Sequence, residues 1–236
     1  MTANRLRLEA QARGGRTIVS RIRGEGLLRA SRPFHEGTAS RIVVAHLGPG
    51  MIRGDAFATG GSVAPGAHLI VAGQMATRVL SGPEPARCDA VWHVGSGGTL
   101  DLQSEPVLVG AGTAYVGTTA LHLAPGARVR VRELVSCERG ARVRATLIGQ
   151  RETRIAFVDA LALDGEVEAH AVGTLLFAGP VDLAALDACA DALRGVRAGV
   201  GVLRDGDVLV RVAGAGVREV AAALDALRDV PWARVP

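Results

Sequence analysis

The chain has no lysine; all 27 of its basic residues are arginine. That absence excludes a GxxxxGK[ST] phosphate-binding loop, whose lysine reaches the phosphates directly. Aromatic residues make up only 3% of the 236 positions, which disfavours a core built on large rings. It also leaves few platforms for stacking bases or sugars, Trp92, Trp232 and Tyr115 being the only Trp and Tyr residues. The three cysteines, Cys88, Cys137 and Cys189, are widely dispersed with no CxxC pair. An odd, scattered set argues against a disulfide framework and for a reducing, cytosolic setting. No two of the histidines at 35, 46, 68, 93, 122 and 170 stand three or four residues apart, so no helical metal grip is present. There is no GxSxG and no local Cys–His signature, hence no recognisable nucleophile and no enzyme signature. The stretch from Pro106 to Ala127 is uncharged but broken by glycines, threonines, His122 and Pro125, unlike a membrane span. The N-terminus MTANRLRLEAQARGG lacks the apolar core of a signal peptide. A soluble, cytoplasmic protein is expected.

Glycine and small apolar residues are what the chain has in place of rings. Glycine reaches 31 residues and hydrophobic residues 48%, a pairing that favours tight turns and closely packed strands over disorder. Arg5–Ala10 alternates polar and apolar with period two, and 17–22 and 41–46 have the β-branched content of strands. A repeat follows. Segments beginning at Gly66, Gly97 and Gly126, spaced 31 and 29 residues apart, each join a small-residue turn to an alternating strand. A polar residue follows each strand, at Gln74, Glu105 and Glu133. Such spacing suits stacked sheets or a short β-solenoid, and equally ordinary meander hairpins.

The last quarter changes character. Leu183, Leu186 and Leu193 share a helical face within Val181 to Arg194, with Asp182 near the start and Gly195 after the end. Two strands, 201–203 and 208–212, flank Asp205-Gly206, a hairpin signal. A second helix is expected from about Val217 to Leu227, burying Val217, Val220, Leu224 and Leu227. The expected fold is mainly β, with stacked sheets or a short solenoid-like body over 1–180 and a helix–hairpin–helix cap over 181–236. No domain boundary is visible. Gly214-Ala215-Gly216 and Gly110-Ala111-Gly112 both lack the further glycine and the βαβ context of a dinucleotide site.

Charge is uneven along the chain. Residues 1–53 carry ten arginines against Glu9, Glu25 and Glu36. A basic N-terminal stretch suits an acidic protein partner; without stacking aromatics or a reading helix it does not suit nucleic acid. Asp55, Asp101, Glu105 and Glu133 are placed at or near strand ends.

From residue 27 onward the order of motifs resembles the urease accessory protein UreD (UreH) family. Leu27-Leu28-Arg29-Ala30-Ser31-Arg32-Pro33-Phe34 is similar to its early "lhs-RPf/l" strand, and Leu47 to Asp55 stands where its "pGGlvgGD" turn falls. Ala64-Pro65-Gly66-Ala67 with Gln74-Met75-Ala76-Thr77-Arg78-Val79-Leu80 resembles "PGA…tQaaTKvy". Leu100 to Leu108 is similar to "leylPeptil", Leu123 to Ala127 repeats the PGA turn, and Val208 to Leu227 resembles the closing strand and helix. Pro49, Met51 and Arg53 depart from the glycine-rich turn; Arg78 and Leu80 replace the usual lysine and aromatic.

The resemblance implies a non-catalytic urease maturation factor. Such proteins bind apo-urease and a UreF-type protein, which recruits a UreG-type GTPase, and they are thought to conduct Ni²⁺ to urease without holding a stable cofactor. A conduit must let its ion leave, so scattered carboxylates suit transit better than clustered His or Cys, which bind nickel tightly. On that reading Asp55, Glu105 and Glu133 line or gate a nickel path shaped by Gln74 and Thr77; the alternative is that they only hold turns and strand ends. The rival functions are a β-solenoid carbohydrate-active enzyme and a general protein adaptor unrelated to nickel.

Overall fold

A computed structural model describes residues 4–52, 54–80, 84–164 and 170–233. Arg53, in the variant glycine-rich turn, lies outside them. The chain opens with β1 (Asn4–Arg13) and β2 (Arg16–Glu25), an antiparallel pair. In β1 the alternation seen in the sequence buries Leu6, Leu8 and Ala10 and turns Arg5 and Arg7 outward. Short strands β3 (Leu28–Ala30) and β4 (Phe34–Glu36) then lie antiparallel on β5 (Ala39–His46).

From β5 the chain winds in coils. The first continues through β6 (Met51–Ile52) and β7 (Ala56–Val63), and the second runs β8 (His68–Gly73), β9 (Thr77–Leu80), β10 (Ala86–Val94). The third is β11 (Thr99–Gln103), β12 (Val107–Val109), β13 (Ala114–Leu123), and the last is β14 (Arg128–Cys137) and β15 (Arg142–Arg151). Equivalent strands pair in parallel: β1, β7, β10, β13 and β15 in one sheet, β5, β8, β11 and β14 in the other. Parallel pairing between successive repeats makes this a solenoid and excludes meander hairpins, which would be antiparallel. His68, Thr99 and Arg128 stand side by side, so the spacings of 31 and 29 read in the sequence are the coil lengths.

The corners explain the Pro-Gly turns. Gly66, Gly97 and Gly126 all adopt left-handed backbone, at φ of 67°, 62° and 71°, which costs an L side chain and suits glycine. Each turn closes on itself, as in Ala67 N–H to Ala64 C=O at 3.1 Å. Adjacent turns also stack, Gly66 N–H donating to Ser96 C=O at 3.1 Å.

After the last coil the direction of pairing reverses. Strand β16 (Arg154–Leu163) turns back on β15, and β17 (Ala171–Ala178) lies antiparallel on β14. All eight residues of β17 are buried, because the two faces of this apolar run enter different cores. Val172, Leu176 and Ala178 join the core between the sheets; Ala171, Leu175 and Phe177 join a second core beneath the helices. Strands β18 (Val196–Val202) and β19 (Val208–Gly214) extend that sheet beyond β17, and α1 (Leu183–Ala192) and α2 (Val217–Arg228) form the layer over it.

Helix α1 is shorter than expected because Asp182 is its cap, accepting the Ala185 N–H at 3.0 Å, and Leu193 is already extended. Leu186 is fully buried, whereas Leu183 stays exposed. In α2, Val220, Leu224 and Leu227 are buried as expected, Ala223 joins them, and Val217 is half-buried. Arg132 fastens the layer, pairing with Asp225 at 3.0 Å, while Arg130 lies against the Phe177 and Trp232 rings at 5.1 and 5.0 Å. Among the described residues no helix is long and apolar enough to cross a membrane.

Candidate functional site

The two sheets of the solenoid do not fill the space between them completely. The result is a cavity of about 190 Å³, room for several waters or a hydrated ion. Most of its wall is apolar, including Leu6, Leu8, Phe57 and Trp92. It also carries a few polar side chains, and Ser104, an exposed residue, is part of its boundary.

Two carboxyls face this space, each held by a threonine. Glu105 Oε1 accepts the Thr77 hydroxyl at 2.7 Å, and Glu133 Oε1 accepts the Thr119 hydroxyl at 2.7 Å. Glu105 Oε2 is buried and unpartnered. Burial pushes the Glu105 carboxyl up to about 7, against the opposing hydrogen bond from Thr77. Burial also raises Glu133, a shift opposed by Thr119 and by the Arg211 charge and reinforced by Asp159. Beyond Glu133 a second, much smaller space is lined by Glu133, Asp159 and Thr174. There Arg211 clamps Asp159 through two bonds of 2.6 and 2.7 Å and also donates to Thr174.

Coil geometry places these groups. Counted by register, four residues (73–76) separate Ala72 from Thr77 in the second coil, and three (104–106) separate their partners Gln103 and Val107 in the third. In the fourth coil β14 runs straight through: Arg132 pairs with Gln103 and Val135 with Val107, leaving only Glu133 and Leu134 between. As the connection shortens, Glu105 and Glu133 turn into the space between the sheets, whereas Gln74, Met75 and Ala76 of the longer one stay exposed.

A model of the UreD urease accessory protein family matches residues 2–235. The chain belongs to that family. It is 34% identical over 140 residues to "Urease accessory protein UreD" of Streptomyces avermitilis, covering 56% of each chain. With the protein of that name from Sorangium cellulosum it shares 28% over 254 residues, 93% of this chain and 80% of the relative. A third, from Kocuria rhizophila, is 29% identical over 137 residues, 57% of this chain. The chain thus spans 56% and 38% of the Streptomyces and Kocuria relatives' lengths.

Of the side chains singled out from sequence in this UreD-family chain, Thr77, Glu105 and Glu133 line the cavity and Asp55 and Gln74 do not. Asp55 instead closes its turn, Oδ2 accepting the Ile52 N–H at 2.8 Å, and Gln74 is exposed. Glu133 is inside a ten-residue strand, not at a strand end, because β14 lacks the break that the earlier coils have; Asp101 is the middle residue of β11. Thr119, His46, Met51, Cys88 and Tyr115 also line the space and were not singled out. Thr119 is buried on β13, and nothing local in the uncharged stretch around it marks it in the sequence. Among the described residues no three or more His, Cys, Asp and Glu side chains are grouped to hold a metal ion.

Proposed function

We propose that this UreD-family chain is a non-catalytic urease maturation factor, acting in the cytoplasm. It binds apo-urease and a UreF-type protein, which brings a UreG-type GTPase, and its interior carries Ni²⁺ as cargo toward urease. The single observation that supports the reading best is the cavity itself: a largely apolar space with two threonine-held carboxyls, Glu105 and Glu133, and an unpartnered oxygen on Glu105.

Such a wall suits passage. Carboxylate and hydroxyl oxygens are hard donors that hold nickel less tightly than imidazole or thiolate clusters. A carboxyl raised to about 7 exchanges its proton for a cation near neutral pH, and takes the proton back as the cation leaves. Thr77 and Thr119 fix the two acids without neutralising them. Asp55 and Gln74, outside the wall, are assigned to the turn and the surface.

The test of the scaffold reading is co-expression of the tagged chain with a UreF-type protein and apo-urease, followed by size exclusion. A co-eluting complex is expected. A folded chain that binds neither partner contradicts the reading.

A further inference from the structure

One part of the cavity wall has a donor chemistry unlike the carboxyls. The Cys88 thiol lies 3.8 Å from the Met51 thioether sulfur, and both line the cavity with His46. His46 Nε2 is buried without a hydrogen-bond partner. Its ring packs edge-on against Phe57 with centroids 4.4 Å apart, and Phe57 stands beside Cys88 in the neighbouring strand. We propose that Cys88, Met51 and His46 form a binding site for one soft monovalent metal ion of the Cu(I) class. This inference does not depend on nickel transit.

Thiolate, thioether and imidazole together select Cu(I) over harder cations. Two sulfurs 3.8 Å apart can both bond an ion lying about 2.3 Å from each, at an angle of about 110°. That opening leaves a third position for a nitrogen. Burial lowers the basicity of His46, which keeps its ring in the neutral, ligating form. Burial holds the Cys88 thiol protonated, up to about 12, against the hydrogen bond from Tyr115. Binding therefore breaks the S–H bond as the sulfur–metal bond forms, and one proton leaves to solvent per ion. No oxidation state changes.

The test uses the purified full-length chain and Ag⁺, an air-stable probe of the same class. The expected result is one tight Ag⁺ per chain, with X-ray absorption showing two sulfur neighbours and one nitrogen. Met51→Leu, nearly isosteric, should fold normally and lower Ag⁺ affinity by at least about tenfold, the smallest cost seen when groups that merely support metal ligands are removed. It should also show a single sulfur neighbour. Cys88→Ser should abolish the tight site, whereas Cys189→Ser should leave it intact. Unchanged Ag⁺ affinity and sulfur count in folded Met51→Leu overturn the proposal, as does a tight site lost only in Cys189→Ser.

Discussion

The fold opposes the ionisation of Glu105. Its carboxyl is raised to about 7, while an unfolded glutamate titrates near 4.3. The folded chain therefore binds more protons than the unfolded chain between those values, and stability falls as pH rises through that window. Glu105→Gln keeps the shape and an acceptor for Thr77 but removes the charge. We expect its melting temperature to exceed that of the parent at pH 8 and to approach it at pH 5. An offset of the same size at both pH values would show that Glu105 is not buried against its ionisation. Glu133 carries the same sign, since burial raises it too.

Among the elements, the junction between the solenoid and the helical layer is best defined. Asp207, at the start of β19, has its side chain only 1% exposed. It accepts two bonds from Arg151 at 2.6 and 2.8 Å and the Gly179 N–H at 3.0 Å. Asp207→Ala removes a buried acceptor from Arg151 and Gly179, while Arg151 keeps Asp205 at 3.8 Å, so it should cost about 1–3 kcal/mol in urea unfolding. The double variant with Arg151→Ala should cost less than the two single changes summed; strict additivity would contradict the coupling. Gly173 makes a second contact between the layers. A Cβ there would meet Leu224 Cδ1 at 2.5 Å and Val220 Cγ1 at 3.0 Å, beneath α2. Gly173→Ala should cost about 1–3 kcal/mol by overpacking, and no loss of stability would place α2 farther from β17.

These elements also mark how much the sequence could disclose. The coils were legible because a left-handed corner needs glycine, and Gly66, Gly97 and Gly126 recur at the coil length. The DG turn at Asp205-Gly206 was legible for the same reason, with φ of 71° and 76°. The cavity was not. Whether a side chain enters it depends on how many residues connect a long strand to a short one, and that number changes from coil to coil. Glu133 therefore looked like a strand end, and Gln74, its counterpart by spacing, points to solvent. Thr119 and Cys88 reach the same space from the opposite sheet, a meeting that follows from register and has no local motif.

On the scale of the whole molecule, the arginine-rich N-terminal stretch becomes one end of the solenoid. Arg5, Arg7, Arg13, Arg16, Arg21 and Arg23 are all exposed on β1 and β2, where Glu9 pairs with Arg7 and Arg21. A field of one sign speeds encounter with an acidic partner and is screened by salt. Arg5→Glu with Arg23→Glu should slow association with whichever maturation partner meets this end, and raising the salt should shrink the difference from the parent. Equal association rates for parent and variant at low salt would remove this face from the interface.

The central claim is that nickel travels through the cavity past Glu105 and Glu133. The most direct measurement is the nickel content of urease matured with the parent chain, with Glu105→Ala and with Glu133→Gln, each first shown to form the same complex. The account predicts intact complexes and urease depleted of nickel for both variants. Full nickel occupancy with either one would take that carboxyl off the path, and with both would contradict passage through this space.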